Sequence, residues 1–227
     1  MNAGNEDDGA DAGLRRALLD TLRAMGDARL NVGTAGNASV RLPGDAHATV
    51  RMLITPSGVP AERCRPEDMA VAEADGSYHG PLAPSSEWQL HRDIYAAFPA
   101  AGAVLHAHSP FATALACQRI KIPPFHYMIA RFGGSTIRCA AYATFGTQAL
   151  SDATVAALQD RCACLLANHG MVVYGRDLAH ALALAIEFET LCEQYWRTLQ
   201  LGAPVLLSEV EMAEVIERFR WYGRART

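Results

Sequence analysis

The chain has 227 residues and a mass of 24.5 kDa, with 20 Lys and Arg against 24 Asp and Glu and a formal charge of −4. That balance excludes a protein that works mainly by electrostatic capture of nucleic acid. Half of the residues are hydrophobic and 19% are charged, a composition that can bury a sizeable core and is unlike that of a disordered chain.

Residues 1 to about 12 are small and acidic with no periodic apolar pattern, and read as a disordered tail. The remainder, 13–227, reads as one domain. Leu14, Leu18, Leu22 and Met25 at helical spacing predict a first helix that Gly26 ends. Strands are predicted at 38–42, 49–54 and 69–73, with a long polar hairpin over 42–51 and a turn signal at Asp75-Gly76. Pro84-Ser85-Ser86-Glu87-Trp88-Gln89 opens a helix that Ser86 and Gln89 would cap reciprocally and that Pro99 closes. Beyond it, 103–108 reads as a strand, 110–118 as a helix, 136–141 as a strand, 151–160 as a helix, and 162–167 and 171–174 as buried strands. Asp177 is placed to cap a long amphipathic helix through Leu199, and Ser208 to Glu211 form a capping box for a last helix reaching Phe219.

The stretch from Ile94 to Gln118 contains no Asp, Glu, Lys or Arg. Pro99, Gly102 and Pro110 interrupt it, and His106 and His108 are costly in lipid, so it predicts a buried strand and helix, not a membrane span. The six Cys residues include no C-x-x-C pair, and Met1 to Asp8 has neither a basic region nor an apolar run. Together these predict reduced thiols in a cytoplasmic protein without membrane or nucleic-acid partners.

His106-Ala107-His108 is the sharpest chemical signal, because side chains two apart on a strand share a face and both imidazoles can converge on one point. Two hydrogen-bonded core histidines would give the same pattern, yet two neutral rings in an apolar strand need two sets of partners, and one divalent cation satisfies both. His169, just before Gly170, is the candidate third ligand and Glu87 the fourth, a donor set that suits zinc. Cys162 and Cys164 lack a second cysteine pair and read as buried thiols. A second group looks built for an anion: Gly33-Thr34-Ala35-Gly36-Asn37, Thr55-Pro56-Ser57-Gly58 and Ser85-Ser86. Neither a Walker A loop nor a G-x-G-x-x-G fingerprint is present. Ser85 and Ser86 directly precede Glu87, which puts an anion and a cation within one small substrate's length, as a phosphorylated sugar requires.

With these segments in order, and with His126-Tyr127-Met128-Ile129-Ala130 and Tyr142-Ala143-Thr144-Phe145-Gly146-Thr147 between them, the chain from about Leu14 to Arg224 resembles the class II aldolase/adducin family. Within that family it is most similar to the enzymes that cleave L-fuculose 1-phosphate. The resemblance implies an α/β fold, a three-layer α/β/α sandwich around a mainly antiparallel sheet, assembled as a homotetramer with active sites between subunits. It implies one Zn2+ per subunit on His106, His108 and His169 with Glu87 beside them, and substrate phosphate on Gly36, Asn37, Ser57, Gly58, Ser85 and Ser86. Glu87 would carry the proton, Tyr127 would enter a neighbouring subunit's site, and Phe145 and Tyr222 would shape the aldehyde end. The implied reaction is reversible cleavage of a ketose 1-phosphate, L-fuculose 1-phosphate or a 5-deoxy relative, to dihydroxyacetone phosphate and a small aldehyde such as lactaldehyde. Methylthioribulose-1-phosphate dehydratase, oxo-tetronate-phosphate decarboxylase and sugar-phosphate 4-epimerase activities are sister readings, although the epimerases typically carry aspartate at the Glu87 position. A non-catalytic adducin-like interaction module is the alternative from another class. The 42–51 hairpin, Ser57 in place of a familiar threonine, and Arg131-Phe132 before Gly133 depart from the fuculose-phosphate pattern, a difference that bears on the aldehyde and not on the metal.

Overall fold

The computed structural model describes residues 4–42 and 50–221. Eight strands form one sheet: β1 (Asn37–Arg41), β2 (Arg51–Ile54), β3 (Ala70–Glu73), β4 (Tyr78–His79), β5 (Ala103–Ala107), β6 (Arg138–Ala140), β7 (Ala163–Leu166) and β8 (Gly170–Gly175), in the order β4-β3-β2-β1-β5-β8-β7-β6. Neighbours are antiparallel except β6 and β7, which run parallel. The sheet is therefore mixed. A helix separates β6 from β7 and supplies the crossover that a parallel pair needs, whereas short turns join β3 to β4 and β7 to β8.

The helices are α1 (Gly4–Asp27), α2 (Trp88–Ala97), α3 (Pro110–Cys117), α4 (Gln148–Ala157), α5 (Leu178–Leu201) and α6 (Glu209–Trp221). Alternation along the central strands builds two cores. Ala103, Leu105 and Ala107 of β5 pack with Leu18 of α1, Leu115 of α3 and Phe188 of α5. Val104 of the same strand faces the other way, with Leu90 and Ile94 of α2 and Leu150 of α4. The result is the α/β/α sandwich, with strand periodicity of two sending successive side chains to opposite layers. The uncharged stretch 94–118 lies here as the end of α2, the wholly buried β5, and α3. Among the described residues, no helix is long and apolar enough to cross a membrane.

Several local readings need correction. The first helix begins at Gly4, well before Leu14 and inside the stretch read as a tail. Arg15 accounts for part of this, since it pairs with Asp11 one turn back at 2.8 Å and donates to the Met69 carbonyl at 2.7 Å. The cap of α2 is not reciprocal: Glu87 occupies the N-cap position without a side-chain cap, and it is the Ser85 hydroxyl that accepts from the Glu87 amide at 3.3 Å. Thr147 caps α4 a turn earlier than expected, and Ser151 instead donates to Asp93 at 2.6 Å. Asp177 does cap α5, accepting from His180 N–H at 2.7 Å, and Ser208 and Glu211 do form their box. Most of the 42–51 hairpin lies outside the described residues.

Candidate metal centre and anion cleft

His106 sits on β5, opposite Asn37 of β1 and Val172 of β8 in the strand register, and is fully buried. Its Nδ1–H donates to the Met171 carbonyl at 2.9 Å. That bond fixes the tautomer and leaves Nε2 with an in-plane lone pair, the arrangement seen when a backbone carbonyl orients a ligating imidazole. His108 follows the strand end, two residues on and on the same face, with its Nε2 3.0 Å from that of His106. His169 comes from the tight turn between β7 and β8, where Asn168 takes a left-handed φ of 53°. The three rings meet edge to face with centroids 4.7 to 4.8 Å apart.

Glu87 projects from the start of α2 into this ring cluster. Its Oε2 is 3.2 Å from His106 Nε2 and its Oε1 3.4 Å from His169 Nε2. Although buried, Oε1 has no hydrogen-bond partner. Burial pushes His106 down to about 3, helped by His108, and pushes His169 down to about 4, helped by His106 and opposed by Glu87. His108 is also lowered by burial, against a smaller opposing pull from Glu87. All three rings are thus neutral at pH 7, the form in which imidazole binds a metal.

These residues fit a divalent cation. The three imidazole ligand atoms lie within 4.8 Å of one another. Tetrahedral ligands about 2.0–2.1 Å from zinc stand roughly 3.3 Å apart, close to the 3.0, 3.2 and 3.4 Å separations found here. The unpartnered buried Oε1 is a further mark of fit, because such an oxygen costs free energy unless something positive satisfies it. Nothing comparable marks the thiols: burial pushes Cys162 up to about 12 and Cys164 further up, so neither is a thiolate donor.

A cleft of about 370 Å3 opens beside the cluster, and Glu87, His108 and His169 form one wall. Gly36 and Asn37, Ser57 and Gly58, and Ser85 and Ser86 line the same cleft, so the structure brings the three expected anion segments together. Gly36 at φ 74° and Gly58 at φ 69° adopt backbone that turns successive amides toward one side. The loops are tied: the Ser57 amide donates to the Ala83 carbonyl and the Ser85 amide to the Thr55 carbonyl, both at 3.0 Å. Asn31 lies beneath Gly36 and accepts from His108 N–H at 3.3 Å, which links the anion loop to the strand that carries the rings.

Phe145 lines the same cleft at its mouth and is 65% exposed, and Tyr142, which sequence reasoning did not single out as a site residue, lies there too at 56%. Arg119 stands over the Tyr142 ring at 5.6 Å and its Nε donates to Asn168 Oδ1. Tyr127 is not in this cleft. It is half exposed and lines a separate apolar pocket with Met128, Arg131, Val215, Arg218 and Phe219. Tyr222 lies outside the described residues. Sequence reasoning also missed His91, Ser39 and Tyr95, which are buried directly behind Glu87 and Asn37. The signal was available as the four-residue spacing Glu87, His91, Tyr95.

Comparison with known proteins agrees with this geometry. The family model described as class II aldolase and adducin N-terminal domain matches residues 16–196. A 5-methylthioribulose-1-phosphate/5-deoxyribulose-1-phosphate aldolase of Rhodospirillum rubrum is 50% identical over 215 residues, 95% of each chain. The L-fuculose phosphate aldolase of Escherichia coli K12 is 42% identical over 92% of this chain and 95% of its own. A solved L-fuculose 1-phosphate aldolase superposes with a TM-score of 0.85 at 35% identity, covering 91% of this chain and 95% of that one.

Proposed function

Since the chain belongs to the class II aldolase and adducin family and is a lyase like the aldolases 42–50% identical to it, we propose that it cleaves a ketose 1-phosphate whose C5 bears no hydroxyl, 5-deoxyribulose 1-phosphate or 5-methylthioribulose 1-phosphate. The observation that carries the reading is Glu87, whose free Oε1 stands among three neutral imidazoles at the edge of a cleft walled by anion-binding loops. The 50% identity to the Rhodospirillum rubrum aldolase named for those two sugars, against 42% to the Escherichia coli K12 L-fuculose phosphate aldolase, supports this choice, and Phe145 and Tyr142 at the cleft mouth offer an apolar surface to the aldehyde end.

Each part has a task in this reaction. The amides of Gly36 and Gly58 and the hydroxyls of Ser57, Ser85 and Ser86 hold the C1 phosphate, fixing the distance from that anchor to the reacting carbons. His106, His108 and His169, with Glu87 beside them, would hold a divalent cation, here assigned as Zn2+, which would supply Lewis-acid stabilisation of the negative charge that develops as the C3–C4 bond breaks. Once substrate shifts it away from the cation, Glu87 Oε1 delivers a proton to C3 in cleavage and removes it in condensation. The C1–C3 fragment leaves as dihydroxyacetone phosphate, and C4–C5 leaves as a short aldehyde that sits against Phe145. Tyr127, remote from the cleft of its own chain, is assigned to the aldehyde oxygen in the site of a neighbouring copy within a homotetramer in the cytoplasm.

The test is release of dihydroxyacetone phosphate from 5-deoxyribulose 1-phosphate, 5-methylthioribulose 1-phosphate and L-fuculose 1-phosphate, before and after chelation. Release that stops on chelation and is faster with the first two sugars is expected. Absence of chelator-sensitive release from all three overturns the reading.

A further inference from the structure

Behind Glu87, two rows of polar side chains interleave. Glu87, His91 and Tyr95 recur every four residues at the start of and along α2, so they stand in one row with a step of about 6 Å. Asn37 and Ser39 are two apart on β1 and share the face toward α2, with a step of about 6.7 Å. The near-equal pitches let strand and helix alternate in one chain. Asn37 Nδ2 donates to Glu87 Oε2 at 2.9 Å, His91 Nε2 meets Asn37 Oδ1 at 2.5 Å, Ser39 Oγ meets His91 Nδ1 at 2.7 Å, and Tyr95 OH meets Ser39 Oγ at 2.8 Å. None of the five residues is more than 7% exposed.

Every bond in this chain has a defined direction. A carboxylate only accepts, so the amide nitrogen of Asn37 must face Glu87 and its Oδ1 must face His91. An amide oxygen only accepts, so His91 carries its proton on Nε2 and presents a lone pair at Nδ1. Ser39 therefore donates to His91, and with its one proton used it accepts from Tyr95. Burial pushes His91 down to about 3, which agrees with the neutral ring the pattern needs. Reversing any member would set two acceptors or two donors against each other in a site without water-facing relief. The consequence reaches Glu87: Oε2 is held from behind, while Oε1 is left without a hydrogen bond. The Asn37 amide spends one N–H on Glu87 and one oxygen lone pair on His91, which leaves its second N–H and its backbone for the phosphate.

We propose that His91, Ser39 and Tyr95 are positioning residues that act through Asn37 to hold the Glu87 carboxylate with Oε2 engaged and Oε1 free for the proton; the proposal rests on Glu87 moving that proton. The test compares Ser39→Ala, Ser39→Thr, His91→Gln and Glu87→Gln as metal-loaded enzyme. For each, kcat and KM with 5-deoxyribulose 1-phosphate, bound metal per chain, and exchange of dihydroxyacetone phosphate hydrogen into D2O are measured. Ser39→Ala and His91→Gln are expected to lower kcat and exchange together by about tenfold to a hundredfold, with KM changed less than about twofold and full metal. Ser39→Thr, which keeps the donor hydroxyl, restores both rates. Wild-type kcat in Ser39→Ala while Glu87→Gln is inactive overturns the proposal, as does a loss traced wholly to missing metal. Exchange that persists in Glu87→Gln overturns instead the role of Glu87, and the proposal with it. Should His91→Gln not fold, the Ser39 pair decides alone, because it differs by one hydroxyl.

Discussion

The imidazoles of the triad are not held alike, so their losses are not equivalent. His106 is fixed by the Met171 carbonyl and fully buried, whereas His169 stands in a turn on the cleft wall. His169→Ala is expected to fold and to lose most of its bound metal and its activity, as metal analysis after dialysis would reveal. Glu87→Gln is expected to keep the metal, because three imidazoles remain, while turnover falls about a hundredfold or more; unchanged turnover would remove Glu87 from the chemistry. His91 gives a pH prediction. Its folded value of about 3 lies below the ordinary 6.5, so the unfolded chain takes up a proton that the folded chain refuses. The stability tied to this ring is complete above pH 6.5 and is lost as pH falls toward 3. Urea midpoints should therefore drop between pH 7 and pH 4, and less so in His91→Gln. At this scale, the convergence of the three imidazoles was legible from His-x-His spacing and from family motifs. The pairing of His91 with Ser39 was not, since it joins residues 52 apart whose contact exists only once α2 lies on β1.

Elements differ in how far their local signals survive packing. The boxes at Asp177 and at Ser208 with Glu211 formed as read, because both ends are surface caps whose partners lie within one turn. The Ser86 and Gln89 box did not, because Ser85 is drawn to the Thr55 carbonyl and a bridge joins Pro56 to Pro84, so the helix starts after the loops have met. The anion loop yields a graded prediction. A Cβ on Gly36 would lie 2.2 Å from Asn31 Oδ1 in addition to carrying a φ of +74°, whereas one on Gly33, at φ +66°, meets nothing within 4 Å. Gly33→Ala is expected to cost about 1 kcal/mol of strain. Gly36→Ala must also displace Asn31, which holds the His108 amide, and should lower Tm further and raise KM for the sugar phosphate. Equal effects of the two substitutions would argue against a link between the anion loop and the ring-bearing strand.

For the molecule as a whole, the residue patterns gave the individual strands and helices and the family resemblance gave their α/β/α layering, but the strand order was not legible. Nothing local in 103–107 says that β5 lies between β1 and β8; that placement follows from which apolar faces fill both layers at once. The same placement puts the cation site where strands distant in sequence meet, so occupancy should stabilise the native state by mass action. Chelation is expected to lower Tm in a manner that depends on the free concentration of the divalent cation, and the shift should vanish in His169→Ala. The aldehyde end was least legible, because Tyr127 lines a pocket with Val215 and Phe219 of α6 and not the cleft of its own chain.

The β5–β8 edge has one more consequence. His106 and His108 belong to a segment that ends well before the turn carrying His169, with α3, β6 and α4 between them. Cutting the polypeptide in that intervening region would give two fragments, one bearing two nitrogen donors and the carboxylate, the other bearing the third donor. Neither fragment alone could retain the ion; rejoined edge to edge they would share it, so zinc would act as the fastener of a split protein whose reassembly reports on the ion itself.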